Sequence, residues 1–318
     1  MNVLKKNDNT LVQIKRKKKR YDPAHWELTS MVIVGVVYAF VFSYVPLYGI
    51  LVAFKDFRYD LGIIGSPWVG FKNFEYIFKT KLMQRLIRNT LGYNLWFMLQ
   101  GTIFGLIFAM CLEKMKSKWT IRAVQTSMQM PGMLSWIVVS YVVYALFAPT
   151  TGVVNTLLNK MGMEMISFYE EPKYWPFIFA IFAIWHGAGG SMLLYYGKLL
   201  SIDTELYEAA TIDGGSAWQK FIYITVPMLR SMMTLILILD LGKIFHGNTG
   251  LFRFLTKNSP SLYNVSDNLD TYILRTLNDG GNLSRSSAAN FLQTVCGLVL
   301  VLASNLIVRK IDPDSALF

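Results

Sequence analysis

The sequence predicts an all-α, polytopic membrane protein with six spanning helices and a structured loop between the fourth and fifth. Three observations carry that prediction. Charged residues are only 16% of the 318, against about 25% in an average soluble domain, while 53% are apolar and mean hydropathy is +0.36. The charges are missing in blocks: none lies between Leu28 and Ala53, and four further stretches of at least 20 residues are also charge-free. Finally, the cluster Lys15-Arg16-Lys17-Lys18-Lys19-Arg20 stands just before the first block. About 20 apolar residues cross a hydrocarbon core of about 30 Å, so a soluble enzyme, a secreted disulfide scaffold and a disordered chain are all excluded. Cys111 and Cys296 both fall inside apolar runs and have no metal-site spacing.

Residues 1–27 form a basic tail, and 28–318 form the membrane domain. Its spans are placed at about 28–53, 89–112, 124–148, 174–197, 228–250 and 288–308. The first is too long for the apolar region of a signal peptide and is read as a retained anchor. The fifth is interrupted by Asp240 and Lys243. With the N-terminus inside, 17 Lys and Arg fall on inner segments and 13 on outer ones. The cluster at 15–20 supports the same orientation, with both termini cytoplasmic, and could also meet anionic headgroups. The net charge of +11 is therefore read as a topology signal and not as a nucleic-acid footprint.

The segment between spans four and five does not read as a plain connection. Ser201-Ile202-Asp203-Thr204 supplies capping residues, and Glu205 to Ile212 runs through helix formers, with Leu206, Ala209, Ala210 and Asp213 on one face. Asp213-Gly214-Gly215 stops that helix. Ser216 to Ile222 starts another, grouping Trp218, Phe221 and Ile222, and Pro227 sits in the first turn of span five. A pair of short helices joined by a tight glycine turn is expected over about 201–226; an interfacial helix lying among headgroups is the alternative.

Glu208-Ala209-Ala210, three residues, Gly214, nine residues, Ile224, one residue and Val226-Pro227 resemble the EAA motif. That motif marks permease subunits of binding-protein-dependent ABC importers, here in the carbohydrate, maltose-type form. Val226 replaces the usual leucine, and Ser231 stands where a second proline is common. Pro67-Trp68-Val69-Gly70-Phe71-Lys72-Asn73-Phe74, Pro131 and Gly152-Val153-Val154-Asn155 also fit. Val265-Ser266-Asp267, Asp270-Thr271-Tyr272 and Arg275 are similar to a branch of polysaccharide and complex-oligosaccharide permeases. The resemblance implies a bacterial plasma-membrane subunit working with a second permease, usually a homologue, and with an extracytoplasmic sugar-binding lipoprotein. It also implies two ATPase subunits that bind ATP and Mg, since this chain has no GxxxxGK[ST] and no enzymatic site of its own. By that resemblance Glu208, Ala209, Ala210, Asp213, Gly214 and Pro227 form the knob that docks on the ATPase. No metal or cofactor is expected on this chain.

Asp240 and Lys243 are the charges inside a span, placed about 18 Å along it. Intramembrane charges normally face the bundle interior and pair. The two could line a translocation path, or pair with each other at i, i+3 while Lys243 snorkels outward. His186 is the histidine well within a span. Together the three admit another class, a proton-coupled secondary transporter, but that class predicts inverted repeats and broken helices in both halves, no convincing internal repeat is found, and the EAA-type loop is left unexplained. Trp136, Tyr141, Tyr144, Trp185, Tyr195 and Tyr196 suit packing or interface belts better than sugar contacts, and the small run Gly187 to Ser191 suits close helix approach.

Overall fold

The computed structural model describes residues 6–7, 10–11 and 24–311, with side chains from 29 to 311. The basic cluster at 15–20 lies outside the described residues. The chain divides into two compact units, residues 1–50 and 51–318. The first unit carries helix α1 (Ala24–Ala39), which passes into a π turn at Phe40–Tyr44; 3-10 geometry follows at Val45–Phe54, the last four residues of which belong to the second unit. Pro46 explains the change, because its ring displaces the carbonyl four residues back and it donates no N–H.

The second unit holds α2 (Lys72–Lys79), α3 (Lys81–Glu113), α4 (Lys118–Met133), α5 (Trp136–Phe147), α6 (Val153–Lys160), α7 (Trp175–Leu199), α8 (Thr204–Ile212), α9 (Ala217–Gly242), α10 (Leu269–Asn278) and α11 (Leu283–Ile311). Five helices among the described residues are long and apolar enough to cross a membrane, or six if the bent pair α4–α5 counts as one. The all-α polytopic fold stands, with two departures.

Where one helix over 124–148 is expected, α4 and α5 meet at 97°. Pro131 removes a hydrogen bond near the end of α4, Leu134 is extended, and the Ser135 hydroxyl accepts from Val138 N to start α5 afresh. His186 Nε2 lies 3.1 Å from the Leu134 carbonyl freed by the break, and its ring stacks on Trp136 with centroids 4.0 Å apart.

The fifth span ends at Gly242 and does not reach 250. The apolar residues beyond it enter the protein core, where Leu251, Phe252 and Leu255 pack with Tyr93, Val139, Val143, Trp175 and Phe179. They belong to the interior and not to an outer loop. Two side-chain amides hold the unwound stretch: Asn94 Nδ2 donates to Ile244 O (2.7 Å) and His246 O (2.8 Å), and Gln293 Nε2 donates to Phe245 O (2.5 Å).

Helix α7 packs centrally against α3 and α4. A β-carbon on Gly189 would fall inside the Met128 carbonyl, and one on Gly105 would lie 2.7 Å from Ser191 Cβ. Within the small run 187–191, Gly189 and Ser191 thus serve close helix approach, whereas Gly187 and Gly190 face open space. A second core unites Leu106, Ala109, Leu112, Met192, Tyr195, Leu199 and Leu229. Beyond α9, Asp267 is fully buried and receives both Arg275 terminal nitrogens (2.8 and 3.0 Å) and the Thr271 hydroxyl (2.9 Å). Its charge is fully paired, as a buried carboxylate requires.

Candidate coupling loop and translocation cavities

The loop between α7 and α9 is built from local capping rules. Asp203 caps α8, its carboxylate accepting from Glu205 N (3.1 Å). At the other end Gly215 N donates to Ala210 O (2.8 Å) and Gly214 N to Thr211 O (3.1 Å). This is the paired termination in which the residue after the C-cap takes positive φ, and Gly214 has φ +77°. Asp213 is the C-cap. Ser216 and Gln219 form a reciprocal capping box at the start of α9. Lys220 Nζ donates to Thr211 Oγ1 (2.7 Å) across the turn, and Tyr207 OH lies 3.0 Å from Thr225 Oγ1. The two helical pieces are therefore tied into one body.

That body presents unpartnered chemistry. Glu208 is exposed and has no ion pair or hydrogen-bond partner among the described residues. Ala209 beside it is exposed, Ala210 half-buried, and Ile212 and Trp218 are 87% and 69% exposed. Trp218 packs on Phe221, ring centroids 5.5 Å apart. At Phe221–Thr225 helix α9 widens into a π turn just before Pro227, so the proline is absorbed without breaking the helix. The helix runs on unbroken from the loop to Asp240, about 35 Å away at 1.5 Å per residue.

Asp240 lies in the last turn of α9, not mid-helix, on the wall of two cavities. The first, about 160 Å³, is enclosed by α3, α7 and α9; its polar lining is Gln100, Thr102, Ser191, Tyr195 and Asp240, with Phe97 and Phe104. The second, about 360 Å³, is lined by Asn94, Asp240, Lys243, His246 and Asn248, with Phe97 again. Asp240 and Lys243 form no ion pair within 4.0 Å. Lys243 is the C-cap of α9 (φ −104°, ψ 6°), and its N–H donates to Asp240 O (3.0 Å), so it stands one turn beyond Asp240. The structure thus brings both residues to the wall of the second cavity, near enough to interact electrostatically but not joined as a direct ion pair.

His186 lines neither cavity, being committed to Trp136 and Leu134. The constellation needed by a proton-coupled carrier of Asp240, Lys243 and His186 is not assembled. Of the aromatic residues, Tyr195 reaches the first cavity although its side chain is fully buried, its phenol among the atoms without a hydrogen-bond partner. Sequence reasoning missed Asn94, Gln100 and His246. Amides inside an otherwise apolar span were the available signal for the first two. His246 Nδ1 is 3.8 Å from Asp270 Oδ1. The neighbouring Asp270 carboxylate raises the imidazole pKa from its ordinary value, with burial opposing.

Residues 101–316 match the family described as binding-protein-dependent transport system inner membrane component. Protein LplB of Bacillus subtilis is 31% identical over 287 residues, 90% of each chain. The polygalacturonan/rhamnogalacturonan transport system permease protein YteP of the same organism is 30% identical, covering 98% of this chain and 95% of its own. Among solved structures, a chain of a bacterial ABC transporter that imports the acidic polysaccharide alginate superposes with a TM-score of 0.81 at 30% identity, over 91% of this chain and 97% of that one. A second structure holds that transporter with an alginate pentasaccharide-bound periplasmic protein, at a TM-score of 0.80. On family match, relatives and fold together, the chain belongs to the family of binding-protein-dependent transport system inner membrane components.

Proposed function

We propose that this chain is the membrane permease subunit of an ABC importer that takes up an oligosaccharide or polysaccharide fragment. One observation carries the reading: a single helix, Ala217–Gly242, has the coupling loop at its start and Asp240 on the cavity walls at its end. A displacement of the loop reaches the cavity through a rigid body, with no other element needed.

The division of labour follows. ATP and Mg sit on two separate ATPase subunits. Glu208 offers those subunits a carboxylate, Ala209 and Ala210 allow close backbone approach, and Asp213, Gly214 and Pro227 shape the knob and its exit. Closure of the ATPases on ATP carries the loop, and the bundle exchanges inward-open for outward-open. An extracytoplasmic sugar-binding lipoprotein, loaded with solute, biases the same equilibrium from the other side. A second permease, a homologue in this reading, completes the path, and both termini of this chain face the cytoplasm of a bacterial cell. The hydroxyl-, amide- and aromatic-lined cavities suit a polyol, whose hydroxyls need acceptors and donors. The solutes named for the relatives, polygalacturonan, rhamnogalacturonan and alginate, support that class.

The test is ATP hydrolysis by the reconstituted importer, with and without oligosaccharide-loaded binding protein. Glu208→Lys is expected to insert normally and lose the stimulation. Wild-type stimulation in that variant would remove the coupling role.

A further inference from the structure

A separate cavity of about 420 Å³ lies at the coupling-loop end of the bundle, where α3 and α7 finish and α9 begins. Met110, Leu199, Leu200 and Phe221 make one part of its wall apolar, while Glu113, Lys114, Thr204, Tyr207 and Lys220 make another part polar. Its cations have donors to offer. Lys114, the C-cap of α3, is exposed and makes no ion pair or side-chain hydrogen bond among the described residues. Lys220 uses one ammonium hydrogen on Thr211 Oγ1 (2.7 Å), which leaves two. The Thr204 hydroxyl also has no partner among the described residues. Two ammonium groups against the single carboxylate of Glu113 leave the wall with one positive charge in excess.

Place and charge together select the occupant. Helices α3, α7 and α9 are long and apolar enough to cross a membrane, so their ends lie at the level of the headgroups. Trp119, Leu200 and Tyr223, near those ends in sequence, are all exposed, and the two aromatic rings suit the interfacial belt. Lys116 and Lys118, exposed just beyond Lys114, add to the positive field. A soluble phosphate would meet the cations and leave the apolar wall bare, whereas a phospholipid covers both. The excess positive charge favours an anionic headgroup over a zwitterionic one.

We propose that this cavity binds an anionic phospholipid, phosphatidylglycerol, between the bundle and the coupling loop. The phosphodiester accepts from Lys114, Lys220 and the Thr204 hydroxyl, the first two being charge-assisted bonds. A hydroxyl of the headgroup glycerol donates to Glu113, and the acyl chains leave along Leu200 and Phe221. Thr204 belongs to α8 and Lys220 to α9, so the headgroup touches both helical pieces of the loop. The site rests on the membrane fold and not on the importer reading.

The experiment uses the complete membrane complex, delipidated in detergent and titrated with phosphatidylglycerol, phosphatidylethanolamine, phosphatidylcholine or the soluble sn-glycerol 3-phosphate. Native mass spectrometry reads the lipid bound and its apparent Kd, and a phosphatidylglycerol with a photoreactive acyl chain reads the place. The wild type is expected to bind phosphatidylglycerol more tightly than either zwitterionic lipid, and to crosslink within 110–114 or 199–225. One lysine at a headgroup is worth about fivefold in affinity, so Lys114→Gln should raise the Kd for phosphatidylglycerol by about that factor and leave phosphatidylcholine unchanged. Lys114 is exposed and holds no structural contact, so the substitution is compatible with folding; Lys114→Arg should retain binding, as should Lys160→Gln at the exposed end of α6. Equal affinity for all three lipids overturns the inference, as does a Lys114→Gln complex equal to wild type, an equal loss in Lys160→Gln, or crosslinks confined to other segments. Displacement of the lipid by equimolar sn-glycerol 3-phosphate also overturns it, assigning the site to a free phosphate. Each of these outcomes leaves the importer reading intact.

Discussion

Replacing Gly214 by alanine isolates the conformational demand of the coupling turn. A β-carbon there meets nothing within 4 Å, so the cost is conformational alone. At φ +77° that cost is about 1–2 kcal/mol for an L-residue, and less for asparagine, which visits the left-handed region locally. At Gly215 the problem is different: a β-carbon would lie 2.7 Å from the Ala210 carbonyl, the same oxygen that accepts the Gly215 N–H. Neither backbone can yield without opening the turn. A penalty of 1–2 kcal/mol lowers the population of the formed turn about 5- to 30-fold. The assay is solute-stimulated ATP hydrolysis by reconstituted importer, normalised to inserted protein. Stimulation should fall in the order wild type, Gly214→Asn, Gly214→Ala, with Gly215→Ala at or below the last. Equal stimulation by the asparagine and alanine variants, or a Gly215→Ala protein indistinguishable from wild type, would refute the argument that the turn geometry transmits coupling.

Other expectations concern the scaffold. Asn155 is fully buried; its amide donates to Ala148 O, Pro149 O and Ile166 O, and its carbonyl accepts from Ile166 N. Asn155→Ala should cost about 3 kcal/mol or more, read as a lowered unfolding midpoint in detergent; an unchanged midpoint would contradict the packing. Gly189→Val should prevent α4 and α7 from closing, so the variant should lose folded yield, while Gly187→Ala, with open space around its β-carbon, should not. The raised His246 pKa means that its pairing with Asp270 stabilises fully below about 6.5 and is lost as pH rises through the folded value. Thermal stability should therefore decline from pH 6 toward pH 8 more in wild type than in His246→Gln, and parallel profiles would count against the pairing.

The parts of the fold legible in sequence are those set by local rules. Asp203, Gly214 and Ser216 announce their caps within four residues, so the paired helices of the loop can be read from local residue order alone. Apolar blocks locate the spans for the same reason. Hydropathy cannot distinguish lipid-facing from protein-buried residues, and this is why the apolar run toward Leu251 and Phe252 reads as a longer fifth span, whereas both side chains are buried in the core and Phe252 packs against Phe179. The break at Leu134 is hidden because both of its arms are apolar and its stabilising partner, His186, is 52 residues away. Asp240 and Lys243 keep the one-turn relation that their spacing suggests, but the distance between their side chains, beyond 4.0 Å, is not set by spacing. Asn94 and Gln293 act on carbonyls 150 and 48 residues distant, contacts that no local pattern encodes.

The measurement that bears most directly on the central claim is solute uptake into proteoliposomes holding the complete importer, energised in one arm by ATP on the ATPase side and in the other by a proton gradient without ATP. The account predicts binding-protein-dependent uptake with ATP, none with the gradient alone, and loss of the ATP-driven uptake in Glu208→Lys despite normal insertion. Uptake driven by the gradient, or ATP-driven uptake undiminished in Glu208→Lys, would contradict it.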